Sequence, residues 1–138
     1  MPRTAFRLQE TDDMLQIDHL ILRVSDAKAS ARFYWQFLGL RHEGTAASFE
    51  VLRVNDHCTL YLLAESPKDP VHLAFCLDRS AFEGVRVRLQ AAGVPFGGAP
   101  FVRDGQPASQ LGARGWAEAL YFFDPDQHNI EVRTHDEH

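Results

Sequence analysis

Cysteine is nearly absent. The 138 residues hold two, Cys58 and Cys76, with no CxxC spacing. Both lie in apolar, strand-like runs and read as reduced, buried, small hydrophobes, which excludes a disulfide framework and a zinc-thiolate site. Long apolar runs are also missing. Nothing approaches the ~18–20 residues that a bilayer-spanning helix needs, and the opening MPRTAFRLQETDDM has no apolar stretch of the secretory kind. A soluble, cytoplasmic protein with no membrane partner is expected. Basic charge is in deficit, with 14 Lys and Arg against 19 Asp and Glu and a net charge of −5. A non-specific grip on phosphate backbones therefore has no electrostatic footprint, and no nucleic-acid partner is expected. What remains is a composition of 45% hydrophobic and 24% charged residues, which suits a folded chain with one shared core.

The chain repeats itself. A period-2 run, Ile17-Asp18-His19-Leu20-Ile21-Leu22-Arg23-Val24, leads past Asp26 into an apolar-periodic segment, Ala27 to Leu38, that ends at Gly39. A second run, Val71-His72-Leu73-Ala74-Phe75-Cys76-Leu77, leads past Asp78 into Ser80 to Ala92 and ends at Gly93. His19 and His72 are 53 residues apart and the two glycines 54, so the copies stay in register across strand, helix and turn. The Asp residues suit helix N-caps and the glycines suit left-handed C-terminal caps. Strand signals follow at 49–54 and 59–63 in the first copy, and at 119–123 and 129–133 in the second. Each unit reads βαβββ, with boundaries of 16–66 and 71–134 inside one domain spanning 1–138 and with 1–15 as an N-terminal extension. The second unit carries roughly sixteen additional residues between Gly93 and Asp126. They are rich in Gly and Pro and are expected to form a mobile loop, a lid, that includes Trp116.

Two strands of the type IDHL and VHLAF, closed by Tyr121-Phe122-Phe123-Asp124-Pro125-Asp126-Gln127-His128-Asn129-Ile130-Glu131, give the chain its clearest signature. From about Gln16 to Thr134 it resembles the vicinal oxygen chelate superfamily, which includes glyoxalase I, bleomycin resistance proteins, extradiol dioxygenases and fosfomycin-resistance thiol transferases. Members usually have Gly where this chain has Gln127. The resemblance implies an α+β fold of paired βαβββ units forming an open, curled, barrel-like mixed sheet with helices outside. It also implies a homodimer and a small-molecule substrate. Its metal ligands transfer to His19, His72 and Glu131. The fourth position falls on Tyr61, where glyoxalase I and the epimerase of the family are expected to have Gln or Glu, so the chain matches the three-ligand pattern of the dioxygenases and fosfomycin-resistance enzymes.

Chemistry agrees with that ligand set. Two imidazoles and a carboxylate on one face leave open positions on an octahedral ion, where a substrate can chelate through two adjacent oxygens. Mixed nitrogen and oxygen ligation suits Fe2+, Mn2+, Co2+ or Ni2+ better than Zn2+, which favours tetrahedral closure. Glu131 is a charge within an otherwise apolar strand, a costly placement unless something compensates it. Alternation sets Arg23 on the face of His19 and Arg133 on the face of Glu131, where either can meet an anionic substrate. Tyr121 and Tyr61 are the tyrosines suited to hydrogen-bond or acid–base work, and Trp116 is suited either to cover the substrate or to anchor the Gly-rich loop. His42, His57, His128, His135 and His138 read as solvated surface, and Tyr34 and Trp35 as a helix packing face or a subunit contact. The expected activity is that of a divalent-metal-dependent dioxygenase, lyase or transferase. The alternative is a metal-free binder of the bleomycin-resistance type, which is expected to lack the ligands.

Overall fold

The computed structural model describes residues 15–137; apart from Leu15, the expected N-terminal extension lies outside them. The first unit runs β1 (His19–Val24), α1 (Ala27–Leu38), β2 (Arg41–Ala46), β3 (Phe49–Arg53) and β4 (Thr59–Ala64). The second repeats it as β5 (His72–Cys76), α2 (Arg79–Ala92), β6 (Ala108–Gly112), β7 (Gly115–Phe123) and β8 (Asn129–Thr134). Each unit makes one four-stranded mixed sheet, ordered β1-β4-β3-β2 and β5-β8-β7-β6, with a parallel pair (β1 with β4, β5 with β8) at one side. The sheets are curled and not closed, in the α+β arrangement of paired βαβββ units that the sequence implies.

Local chemistry explains the repeat. Asp26 and Asp78 cap the two helices, their carboxylates accepting from the backbone N–H of Ala29 and Ala81 at 3.0 and 2.8 Å. Gly39 and Gly93 end them at φ +73° and +71°, a left-handed turn that costs a Cβ-bearing residue free energy. Alternation then sorts each strand. Leu22, Val24, Leu52, Leu60 and Leu62 in one sheet, and Leu120, Phe122, Ile130 and Val132 in the other, turn to the helices and join Tyr34, Phe37, Phe82, Val85 and Leu89 in one core. The opposite face of each sheet is left for chemistry.

The Asp124-Pro125-Asp126-Gln127-His128 segment clasps the two units. Tyr34 Oη donates to Asp124 Oδ2 at 2.6 Å, and Asp126 accepts from the Ser25 hydroxyl at 2.6 Å. His128 is 1% exposed, which corrects its reading as solvated surface. Its Nδ1 accepts from Val71 N–H at 2.9 Å, so Nε2 carries the proton and donates to the Arg23 carbonyl at 2.8 Å. One ring thereby spans the first strand of unit one and the start of unit two. Gln127 stands at φ +69°, in the region that favours glycine. Tyr34 is buried as expected, whereas Trp35 is exposed.

The segment expected to be one long lid has two parts. Residues 94–107 are largely irregular, but Gly112, Gly115 and Trp116 belong to the β6–β7 hairpin. Within 94–107, Gly97 pairs with Tyr121 through backbone bonds of 3.1 and 2.7 Å, and a Cβ there would stand 2.0 Å from the Val102 carbonyl oxygen. This part of the insert is therefore tied to the sheet edge. No helix among the described residues is long and apolar enough to cross a membrane.

Candidate functional site

The parallel pair β5–β8 sets His72 beside Asn129, Ala74 beside Glu131 and Cys76 beside Arg133, while β7 sets Tyr121 on the other side of Glu131. All lie on the face turned away from the helices. Here His72 Nε2 donates to Glu131 Oε1 at 2.9 Å, and Arg133 Nη1 donates to Glu131 Oε2 at 2.8 Å. Glu131 is only 4% exposed, so both oxygens of a nearly dry carboxylate are held. Burial, the charge of Glu131 and a hydrogen bond to it push the Tyr121 phenol up to about 12. At neutral pH Tyr121 is a protonated donor and not a base. The His72 and Tyr121 rings stand 5.8 Å apart.

Arg133 has little freedom. Its Nη2 donates to the carbonyls of Gln110 and Gly115 at 3.0 and 3.1 Å, which lays the β6–β7 hairpin over the guanidinium. Gly112 makes that approach possible, because a Cβ there would meet the guanidinium at 2.7 Å. A cavity of about 390 Å³ opens beside the hairpin, lined by His72, Cys76, Tyr121, Glu131, Arg114 and His135 among others. Cys76 is exposed at its wall and Cys58 half-buried, which corrects the reading of both as buried hydrophobes. Phe75 and Leu77 turn to the core, and the Cys76 side chain alternates outward.

The other sheet carries the rest of the expected set. His19 Nδ1 donates to Asp18 Oδ2 at 2.8 Å, its Nε2 has no hydrogen-bond partner among the described residues, and the ring stacks on Tyr61 with centroids 4.4 Å apart. Arg23, farther along β1, bonds Glu65 at 2.7 Å. Trp116 is 66% exposed and alternates to the opposite face of β7 from Tyr121, lining a separate hollow with Arg79, Ser109 and Asp136. The structure thus brings together His72, Glu131, Tyr121 and Arg133, and separates them from His19, Tyr61, Arg23 and Trp116. Among the described residues no three His, Cys, Asp or Glu side chains converge as a metal cage. The donor chemistry of His72 and Glu131 fits two ligands of a divalent ion, and the described residues bring no third His, Cys, Asp or Glu to them. Sequence reasoning missed Arg114, because the Gly-rich segment around it read as loop.

The curled pair of βαβββ units, with two mixed sheets that do not close, is the α+β arrangement of the vicinal oxygen chelate fold. The chain belongs to the Glyoxalase/Bleomycin resistance protein/Dioxygenase superfamily, whose family model matches residues 16–132. It is 29% identical over 130 residues to the glutathione transferase FosA of Serratia marcescens, covering 88% of this chain and 82% of that protein. Among solved structures it resembles the oxidase ChaP-H2 with a TM-score of 0.78 at 29% identity, over 88% of this chain and 94% of the other. A glyoxalase/dioxygenase from Nostoc punctiforme superimposes with a TM-score of 0.67 at 25% identity, over 91% and 94% of the two chains.

Proposed function

We propose that this protein is a divalent-metal-dependent enzyme acting on a small substrate that offers two adjacent oxygens, with each site shared between two copies of the chain. His72 and Glu131 of one protomer and His19 of a second copy would hold the ion. The observation that carries this reading is the division of the three donors, two converging at 2.9 Å on one sheet and the third presented with a free Nε2 on the other. The edges of the sheets support a second copy. β1 and β5 each stand at the end of their sheet's strand order, and Ile17, Leu20, Ile21 and Val71 are exposed along or beside them, an apolar edge that a partner would cover.

When bound, the ion acts as a Lewis acid on the chelated oxygens. The chain's own residues do the rest. Arg133 orients Glu131, and the hairpin laid over it shields the carboxylate from water. Tyr121 keeps its proton and offers it as a hydrogen bond to an oxygen on which negative charge builds. The names of the related proteins, a glutathione transferase and oxidases, support both thiol addition and oxidative chemistry at such a site. One observation favours the metal-free binder instead: Arg133 already compensates the charge of Glu131, and His72 bonds its other oxygen, without an ion.

The test is complementation. His19→Ala and Glu131→Ala homodimers should each lose high-affinity binding of Ni2+ or Mn2+ by calorimetry. Unfolding and refolding the two together should restore about a quarter of the wild-type sites, because half of the dimers are mixed and each of those has one intact site. No recovery on mixing would place the ligands within one chain, and no metal binding by the wild type would move the protein to the binder class.

A further inference from the structure

We propose that Arg114 is the specificity-determining cation of this site and receives an anionic group, a carboxylate or related oxyanion, on the substrate. The inference rests on the site proposed above and names the class of substrate it takes. The sequence offers Arg23 and Arg133 for such a role, and the structure commits both elsewhere. Arg23 bonds Glu65 at 2.7 Å. Arg133 holds Glu131 and two hairpin carbonyls with its side chain 13% exposed.

Arg114 differs on each count. It occupies the turn between β6 and β7, lines the cavity that contains His72, Tyr121 and Glu131, is exposed, and has no hydrogen bond or ion pair with any other described residue. Its placement is built. Gly112 and Gly115 flank the turn, Gly115 at φ +98°, and Arg133 bonds the Gln110 and Gly115 carbonyls on either side of it. One guanidinium is thus occupied in holding the hairpin that carries the other over the cavity. Glu131 is the single acid in the cavity wall, and Arg133 already pairs with its charge while His72 bonds its other oxygen. Arg114 lines the same cavity with no acid there to pair with it other than the already paired Glu131. In a chain of net charge −5 this is a local reversal of sign, and a guanidinium with free donors is suited to fork-like pairing with a carboxylate.

Binding to the Ni2+-loaded full-length protein tests the proposal, with catechol and 3,4-dihydroxybenzoate as probes that share two adjacent oxygens and differ by a carboxylate. Wild-type protein should prefer the carboxylated probe by about tenfold, the scale of one charge-assisted hydrogen bond. Arg114→Gln should erase the preference without changing catechol affinity, and Arg114→Lys should keep most of it. A structural role for Arg114 would weaken both probes together, so the split between them is the readout. A wild type that binds both probes equally, or a preference that survives Arg114→Gln, would overturn the anion role and leave the chelate site standing. Failure of the Ni2+-loaded protein to bind either probe would instead refute the chelate site and the anion role with it.

Discussion

Tyr34 Oη meets Asp124 Oδ2 at 2.6 Å, a single bond that ties helix α1 of the first unit to the turn before the last strand of the second. Both groups are buried. Burial and the carboxylate's own charge hold the Tyr34 phenol well above its ordinary value, so it remains a donor at any physiological pH. Asp124 Oδ1 is separately occupied by the backbone N–H of Asp126 and His128, each at 2.9 Å. Removing the phenol therefore orphans Oδ2 alone. Tyr34→Phe should destabilise the fold by about 1.5–3 kcal/mol, the usual worth of a buried hydrogen bond to a charged group. Urea unfolding should show a lower midpoint with an unchanged slope.

The buried Glu50 gives a pH signature unrelated to the candidate site. It accepts from Thr45 Oγ1 at 2.8 Å and His42 Nε2 at 2.7 Å, with Lys28 Nζ at 3.5 Å. The Thr45 bond, opposed by burial and helped by His42 and Lys28, holds its carboxyl below the usual range. A lowered value in the folded state means that the unfolded chain binds the proton more readily. The stabilisation is therefore complete above the unfolded carboxylate value of about 4.3 and is lost as pH falls through the lower folded value. Glu50→Gln should cost about 1–2 kcal/mol at pH 7. The gap to wild type in thermal melts should narrow on acidification through that window; a gap that stays constant would mean that the ionised form carries none of the stability.

Much of this fold was legible because the repeat, the helix caps and the alternation are local properties. Leu22 and Val24, or Ile130 and Val132, face the core because every second residue must. Strands β2 and β6 were not individually legible. Their sequences, RHEGTA and ASQLG, carry too few apolar residues to show a period, and pairing with β3 and β7 decides their conformation. His128 and Cys76 were misread for a related reason: exposure depends on what packs over a position, and the clasp from Val71 and Arg23 that buries His128 comes from 57 and 105 residues away. The same distance hides the division of the candidate ligands. Spacing along the chain relates His19 to His72 by the repeat, but it does not say that the two units present them on separate sheets.

Arg133 yields the prediction that bears most directly on the candidate centre. A methyl group on residue 112 would lie 2.7 to 3.0 Å from three atoms of its guanidinium, closer than packed atoms tolerate. Backbone strain is not the issue, since Gly112 does not occupy the positive-φ region. The guanidinium cannot move aside freely, because its donors hold Glu131 and the carbonyls of Gln110 and Gly115. Gly112→Ala should therefore release Glu131 from Arg133 without touching a ligand. A lost support of this kind typically weakens metal affinity by about 10- to 100-fold. Arg133→Gln should produce a similar loss, and adding Gly112→Ala to it should cost little more, because both changes act through one contact. Metal titration of the three variants checks this. Losses that simply add would show that Gly112 supports the hairpin by some route other than Arg133.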